Sequence, residues 1–274
     1  MPTYDTPGHV ALKLRTAGGV VEIESGDGAQ TEVELEPLRD DDVTLEAIRE
    51  ASVGVRPTGA GHEVYVELPK RRGFLGRGPK VAIRVRCPQG ADVDCASSSS
   101  DLSATGSFGA VMMKTASGDV FVDECGELQV GSASGDVHAR RVRGRAAVNT
   151  ASGDVRIETV DGAVSVNAVS GDVHLGETRD SVVASTVSGD QTLGTVSGGD
   201  VRLQSVSGDV LVGVAPGLRV WIDAASISGS MSSDLDMSET APAADAPSVE
   251  VRAKTVSGDV RVSRSTRSAS PAGA

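Results

Sequence analysis

A short motif that recurs at nearly constant spacing constrains this chain more than any other feature. Ser-Gly-Asp, usually followed by Val, returns with successive aspartates 17, 18, 18, 18 and 19 residues apart, before a last copy at a longer interval. Its Gly-Asp pairs are Gly118-Asp119, Gly135-Asp136, Gly153-Asp154, Gly171-Asp172, Gly189-Asp190, Gly208-Asp209 and Gly258-Asp259. A period of this length is typical of proteins that stack one short structural unit on the next.

A second set of turn residues lies midway between the motifs, at Gly126, Gly144, Gly162, Asp180 and Gly199. Each unit therefore has two turns and two short strands, and the pattern Asp-Val-x-Val turns an apolar pair toward one face. Aromatic residues make up only 2% of the chain, which suits a thin core of small side chains. The sequence predicts an all-β fold: a β-solenoid, similar to a β-helix, of about 18-residue two-strand coils.

The domain organisation follows from where the motif begins and ends. Residues 1–98 contain alternating segments, which predict an N-terminal antiparallel β cap region in which residues 63–68 pair with residues 80–86. Residues 40–52 fit either a short helix or a solvated loop. Residues 99–262 form the repeat, whose motif degenerates at Ser228-Gly229-Ser230 before an acidic insertion at 232–248. We expect this insertion and the tail at 263–274 to be disordered.

Composition narrows the classes of partner and compartment. The formal net charge of −12 disfavours nucleic acid as a partner. The three cysteines, Cys87, Cys95 and Cys125, form no CxxC pair, so neither a disulfide framework nor a zinc site is indicated. The sequence shows neither a signal peptide nor an apolar run long enough to span a membrane, which predicts a cytoplasmic protein, with peripheral membrane contact as an alternative.

One strongly basic segment, residues 70–80, interrupts this acidic chain. It is rich in glycine and has two apolar side chains near its middle. Basic side chains at lipid headgroups, with the apolar pair dipping inward, would suit an anionic membrane surface or a partner. The alternative is a hairpin loop whose charge only keeps it soluble. The candidate contact residues are Lys70, Arg71, Arg72, Phe74, Leu75, Arg77 and Lys80.

The corner motif has a structural and a functional interpretation. Glycine can adopt positive φ, and an Asp or Ser side chain can bond a nearby backbone N–H, so the motif closes a sharp turn. Stacked carboxylates also repel each other, and a cation such as calcium would relieve this repulsion. The motif lacks the second Gly-x-Asp of calcium β-rolls, so we predict no metal and no cofactor. The weak alternative ligands are Asp136, Asp154, Asp172 and Asp190.

Threonine and serine form another column just before the corners, as in Thr150 and Ser152 or Thr186 and Ser188. The residue between each pair is Ala or Val, and alternation alone leaves open which set faces the core. Inward hydroxyls would bond along the stack, whereas outward hydroxyls would form a flat polar ladder.

The chain shows no recognisable catalytic motif. It contains no G-x-S-x-G, P-loop or H-E-x-x-H sequence. Asp123 and Glu124, or the basic run of Arg140, Arg141, Arg143 and Arg145, are the side chains that a β-helix enzyme would recruit, but neither group forms a recognisable constellation. We predict that the protein is not an enzyme.

The repeated Ser-Gly-Asp-Val corners, together with Gly19-Val20-Val21-Glu22-Ile23, resemble the bacterial putative-adhesin family, a domain of unknown function. The resemblance covers residues 10–262 and implies a β-solenoid without catalytic residues. Similar members are often exported or tethered to a membrane, in some cases near envelope-stress systems. We therefore expect a binding or scaffold module that presents repetitive faces to a protein or glycan. The alternatives are a self-assembling cytoplasmic filament, hence a homo-oligomer, and anionic-membrane association through residues 70–80.

Overall fold

The computed structural model describes residues 2–59, 61–69, 78–235 and 247–265. The chain divides into two compact units, Met1–Arg140 and Arg141–Ala274. Most of the described backbone is in β-strands arranged as solenoid coils, which confirms the predicted fold class. The boundary predicted between residues 98 and 99 falls inside one long strand, Asp92–Ser117.

The first unit combines long coil strands with shorter antiparallel ones. Its elements are β1 (Thr3–Asp5), β2 (His9–Gly26), β3 (Gln30–Pro37), α1 (Asp42–Arg49), β4 (Ser52–Thr58), β5 (Gly61–Glu67), β6 (Val81–Pro88), β7 (Asp92–Ser117) and β8 (Val120–Ser134), with β9 (Val137–Val142) starting at its end.

Strand β2 lies at the centre of this unit and is paired along both of its edges. Its first half pairs in parallel with β5, its second half pairs in parallel with β6, and β7 runs parallel along its other side. The predicted pairing of residues 63–68 with residues 80–86 is therefore wrong, because both segments pair with β2 instead. Parallel stacking buries inward side chains such as Leu12 and Ile83 between successive coils, which a single hairpin would leave half exposed.

Antiparallel strands flank these coils, as predicted for the cap region. Strand β3 pairs with β6, β1 pairs with β3, and β4 pairs with β5, all antiparallel. The segment at 40–52 contains a helix rather than only a loop: α1 covers Asp42–Arg49, and Asp41 caps it by accepting the backbone N–H of Thr44 at 2.7 Å. Hydrogen bonds from the Thr44 hydroxyl and, to a smaller extent, from the Thr44 backbone N–H hold the pKa of Asp41 below its ordinary value.

The second unit repeats two strands per coil. The strands that precede the Ser-Gly corners are β10 (Ala146–Ser152), β12 (Val164–Ser170), β14 (Val182–Ser188), β16 (Asp200–Ser207), β18 (Arg219–Ser228) and β20 (Ser248–Ser257). The strands that follow the corners are β11 (Val155–Val160), β13 (Val173–Thr178), β15 (Gln191–Val196), β17 (Val210–Val214), β19 (Met231–Ser233) and β21 (Val260–Arg264). Each set forms its own parallel ladder, for example β12 with β14 and β13 with β15.

The last coil in the sequence is not the last coil in the stack. Strand β20 pairs with β16 on one side and with β18 on the other, and β21 lies in the same way between β17 and β19. The coil at 248–264 is thus inserted before the coil at 219–233. The two ends of the predicted acidic insertion at 232–248 lie in strands, one in β19 and the other at the start of β20. Residues 236–246 of that insertion and residues 266–274 of the predicted tail lie outside the described residues.

The core is the thin apolar layer that the sequence pattern predicts. The apolar pairs after the corners, such as Val173 with Leu175 and Val210 with Val212, are at most 1% exposed. Each coil contributes only a few side chains, so burial depends on the coils above and below. The side chains that remain outside the core are therefore arranged in regular outer columns.

Candidate functional site

The Ser-Gly-Asp corners of the second unit lie directly against one another. Gly171, Gly189, Gly208 and Gly258 have φ values between +125° and +143°, where glycine is strongly favoured. A Cβ atom added at Gly189 would lie 2.1 Å from the carbonyl oxygen of Gly171. The glycine of the motif is thus required both by its own backbone angle and by the next coil.

Most corner aspartates accept a backbone hydrogen bond from the corner of a neighbouring coil. The Oδ1 atom of Asp172 accepts the backbone N–H of Asp190 at 2.8 Å, and Asp190 accepts the N–H of Asp209 at 2.8 Å. The same bond joins Asp101 to Asp119, Asp119 to Asp136, Asp154 to Asp172, Asp209 to Asp259 and Asp259 to Ser230. We call this row of hydrogen bonds the carboxylate ladder. It gives the Asp of the motif a structural role, because the backbone N–H groups at the corners need an acceptor and the carboxylates supply it.

At the end of the ladder, the backbone N–H of Ser230 holds the pKa of Asp259 below its ordinary value. A hydrogen bond from a backbone N–H stabilises the charged form of a carboxylate. Within the parts of the chain that the structure describes, no group of three or more His, Cys, Asp or Glu side chains is arranged to hold a metal ion. The interpretation of Asp136, Asp154, Asp172 and Asp190 as structural rather than cation-binding residues stays a prediction.

The threonines before the corners face inward. Thr150, Thr186 and Thr255 are buried, and the hydroxyls of Thr150 and Thr255 donate to the carbonyl oxygens of Ser152 and Ser257. Their hydroxyls thus bond the backbone of their own corner instead of forming an outer ladder. Since neighbouring residues of a strand point to opposite faces, the residue after each threonine must face outward.

An apolar column is exposed as a result on the outer face of the second unit. It consists of Val169, Val187, Val206, Val256 and Ile227, whose exposed fractions range from 45% to 82%. The registers of β12, β14, β16, β20 and β18 place these five side chains side by side on consecutive strands. We call this column the outer ridge; neighbouring strands place its members about 4.8 Å apart.

Polar columns border the outer ridge on both sides. On one side lie the exposed corner serines, such as Ser188 and Ser207, and beyond them the carboxylate ladder. On the other side lie side chains such as Asn149 and Asn167, which are hydrogen-bonded to each other at 3.0 Å. Protein interfaces commonly have an apolar centre that is surrounded by a polar rim.

Sequence reasoning missed the outer ridge, although a signal for it was present. In the segments Ala168-Val169-Ser170, Thr186-Val187-Ser188 and Thr255-Val256-Ser257 the valine occupies one fixed repeat position. Once the threonine is placed inside, this valine must be exposed. The column was ambiguous because Thr and Val have nearly the same shape and both favour strands.

Two of the arginines considered for catalysis form ion pairs. Arg140 lies 2.5 Å from Asp123, and Arg141 lies 2.8 Å from Asp161. The His174 side chain is partly buried, and its desolvation, together with the nearby charge of Arg156, lowers its pKa. The contacts of Arg140 and Arg141 are ion pairs between charged side chains, and neither of them joins a nucleophilic group to an adjacent base.

The basic segment is only partly described. Lys70, Arg71, Arg72, Phe74, Leu75 and Arg77 lie outside the described residues. Lys80 is described: its ammonium group lies 3.3 Å from the hydroxyl oxygen of Ser99, and its backbone N–H donates to the Thr44 hydroxyl. Membrane contact through this segment stays a prediction. Across the described ranges, no helix has the length and apolar character to cross a bilayer.

Comparison of the sequence with models of known protein families identifies a family that covers the coils and their corners. The sequence profile of the Toastrack family, DUF4097, matches residues 11–263. This chain belongs to the Toastrack family. The predicted resemblance to a domain of unknown function with adhesin-like relatives is thereby confirmed. A search of curated protein sequences found no match for this Toastrack chain.

Several solved structures are similar to this Toastrack chain at low sequence identity. A putative adhesin from Bacteroides fragilis is 13% identical, with 95% of each chain covered and a TM-score of 0.43. A putative adhesin from Parabacteroides merdae is 10% identical, with 95% of this chain and 93% of that chain covered and a TM-score of 0.41. A putative lipid binding protein from Parabacteroides distasonis is 11% identical, with 95% of each chain covered and a TM-score of 0.39.

Proposed function

We propose that this Toastrack chain is a non-enzymatic binding module that holds a protein partner against the outer ridge of its second unit. The observation that carries the proposal is the ridge itself, a continuous row of exposed apolar side chains on five neighbouring strands. Single exposed apolar residues are ordinary in proteins, but a contiguous row with polar borders is typical of an interaction surface.

The chemistry of the ridge favours a protein over a glycan. Valine and isoleucine side chains offer no hydrogen bonds, whereas a glycan needs donors and acceptors and usually an aromatic platform. Trp221, an exposed aromatic side chain of the second unit, lies on β18 at one end of the ladder rather than along it. A partner that lays apolar side chains across several coils would gain contacts additively with each coil that it covers.

The test is affinity capture with the intact chain and two variants, followed by quantitative mass spectrometry. The first variant, Val187→Ser with Val206→Ser, removes the middle of the ridge. The matched control is Leu211→Ser, which removes a side chain of similar exposure, 41%, on β17 of the other ladder. We expect protein partners to be depleted at least about tenfold on the ridge variant, since two central apolar contacts are lost, and to be retained by the control.

Equal recovery of the same proteins with the ridge variant and the intact chain would contradict the proposal. A parallel glycan array decides between the two partner classes: binding of a glycan that survives loss of the ridge would instead favour the polar columns as the functional surface. Circular dichroism of each variant checks that its strands are intact.

A further inference from the structure

The two ends of the strand ladders differ in how their outermost strands are protected. In the first unit the outermost strands are β1, which has three residues, and β4, which contains Pro57. Short edge strands and edge prolines both block pairing with another chain. In the second unit the outermost strand is β18, which has ten residues without proline and pairs only with β20 among the described strands.

Apolar side chains are concentrated at this unprotected edge. The most exposed large apolar residues of the described chain are Ile227 at 82%, Met231 at 57% and Trp221 at 55%, and all three belong to the terminal coil, on β18 and β19. A long edge strand with exposed apolar side chains is a site for pairing with another β-strand.

The backbone of β18 is oriented for such pairing. The N–H of Arg219 donates to the carbonyl oxygen of Pro247, so the backbone groups of Arg219 point toward β20. Because backbone groups of successive residues in a strand point to opposite edges, those of Ile222, Ala224 and Ser226 point toward the free edge.

We propose that two copies of the chain associate head to head through antiparallel pairing of their β18 strands around a two-fold axis at Ala224. This inference is independent of the proposed function. The second copy is the occupant that fits because β18 is self-complementary in this register. Trp221 of each copy lies opposite Ile227 of the other, and Asp223 lies opposite Ala225.

Charge and apolar matching select this register over its neighbour. An axis at Asp223 would place the two Asp223 carboxylates directly opposite each other, and directly opposed like charges destabilise a strand pair. With the axis at Ala224, both exposed large apolar side chains of β18, Trp221 and Ile227, are paired, and pairs of an aromatic with a β-branched residue stabilise sheets. The outer ridge also continues across the junction, since Ile227 meets the Trp221 of the second copy.

The symmetry of the pairing limits the size of the assembly. A two-fold contact uses the same edge of both copies and therefore closes at a dimer. The filament considered from the sequence would need two different complementary edges, and the edge strands β1 and β4 carry the protection described above.

The test is a charge-swap experiment read by sedimentation equilibrium over a range of protein concentrations. Trp221→Lys and Ile227→Glu each weaken a homodimer, because each replaces two apolar pairs by mismatched ones. Mixed together, the two variants place the introduced lysine opposite the introduced glutamate at one pair and keep Trp221 opposite Ile227 at the other. The matched control is Val187→Lys, which puts the same charge on the ridge but on β14, a strand paired on both sides.

We expect a wild-type dimer, a dissociation constant raised about tenfold or more in each single variant, and recovery of the dimer in the mixture. The control should dimerise as the wild type does. A wild type that stays monomeric at every concentration overturns the proposal and leaves the edge to a strand of another protein. Assemblies larger than a dimer, or a mixture no tighter than its separate components, overturn it as well.

Discussion

A single added methyl group tests how tightly the corners stack. At Gly189 the φ angle is +136° and a Cβ atom would meet the carbonyl oxygen of Gly171 at 2.1 Å. We expect Gly189→Ala to lower the free energy of unfolding by about 3 kcal/mol, from backbone strain and overpacking combined. The matched control is Gly131→Ala, since an added Cβ at Gly131 meets no heavy atom within 4 Å. Equal stability of the two variants in urea titrations would show that the corners are not in close contact.

The carboxylate ladder predicts different effects of two substitutions at Asp190. Asp190→Ala removes the acceptor for the N–H of Asp209 and should cost about 1 kcal/mol in thermal or urea unfolding. Asp190→Asn keeps an oxygen acceptor and should remain close to the wild type.

Adding calcium to the same three proteins tests the alternative role of the corner carboxylates. If the ladder is purely structural, calcium leaves all three melting temperatures unchanged. A rise in melting temperature for the wild type alone would instead assign the ladder to a cation, because a ligand stabilises only the form that binds it.

The cysteines should be unreactive in the native protein. Cys87, Cys95 and Cys125 are buried, and burial raises the pKa of Cys87 and of Cys95 to about 12. We expect no reaction with Ellman's reagent at pH 8 until denaturant is added, because the thiolate is the reactive form. In the unfolded chain the thiols of Cys87 and Cys95 ionise near pH 9, whereas in the folded protein they keep their protons up to about pH 12. The free energy of unfolding should therefore fall as the pH rises from about 9 toward 12. Rapid labelling under native conditions would place these thiols at the surface.

At the scale of the element, strands at the two ends of the sequence should be well protected. Strand β2 is paired on both sides, and so is β20, although each lies near a chain end. We expect their amides to exchange with solvent more slowly than those of β1 and β4, which lie at sheet edges. Hydrogen exchange measured by mass spectrometry checks this order. Faster exchange in β2 than in β4 would contradict the pairing of β2 with β7.

The coils could be predicted from the sequence because each one repeats the same local chemistry. Val173 and Leu175 follow a corner and are buried, as the Asp-Val-x-Val pattern indicates. The order of the final coils could not be predicted, because β18 and β20 both end in a Ser-Gly corner of the same kind. The local sequence pattern would allow either β18 or β20 to pair with β16. Only the contacts of the complete stack decide which of the two strands lies there.

The outer ridge could not be predicted from the sequence for a different reason. Alternation along β14 identifies two sets of residues but not which set is inside, since Thr186 and Val187 are similar in volume and strand propensity. The choice is made by Val182 and Ala184, which are buried with Thr186 against the neighbouring coils. That information is tertiary, and it also decided the candidate site.

For the whole molecule, unfolding should not be a single transition. Trp221 is the one tryptophan of the sequence, and it lies in the terminal coil, where its ring faces solvent and the guanidinium group of Arg252. Repeat arrays lose cooperativity when a coil contacts only its neighbours. We therefore expect tryptophan fluorescence to change at lower urea concentration than the far-ultraviolet circular dichroism of all strands. Coincident curves would indicate that the terminal coil unfolds together with the rest of the chain.

The insertion of the last coil into the stack has a consequence for synthesis on the ribosome. Asp259 bonds Asp209 across 50 residues of sequence, so β16 and β17 wait for their final neighbours until that length has been translated. At a synthesis rate of about 5 to 20 residues per second this takes about 3 to 10 seconds, during which β16 lacks its final neighbour. The native neighbours of β16 and β17 are complete only when the end of the repeat has emerged, so a chain released early would lack the coil that lies between β16 and β18 rather than the outermost one.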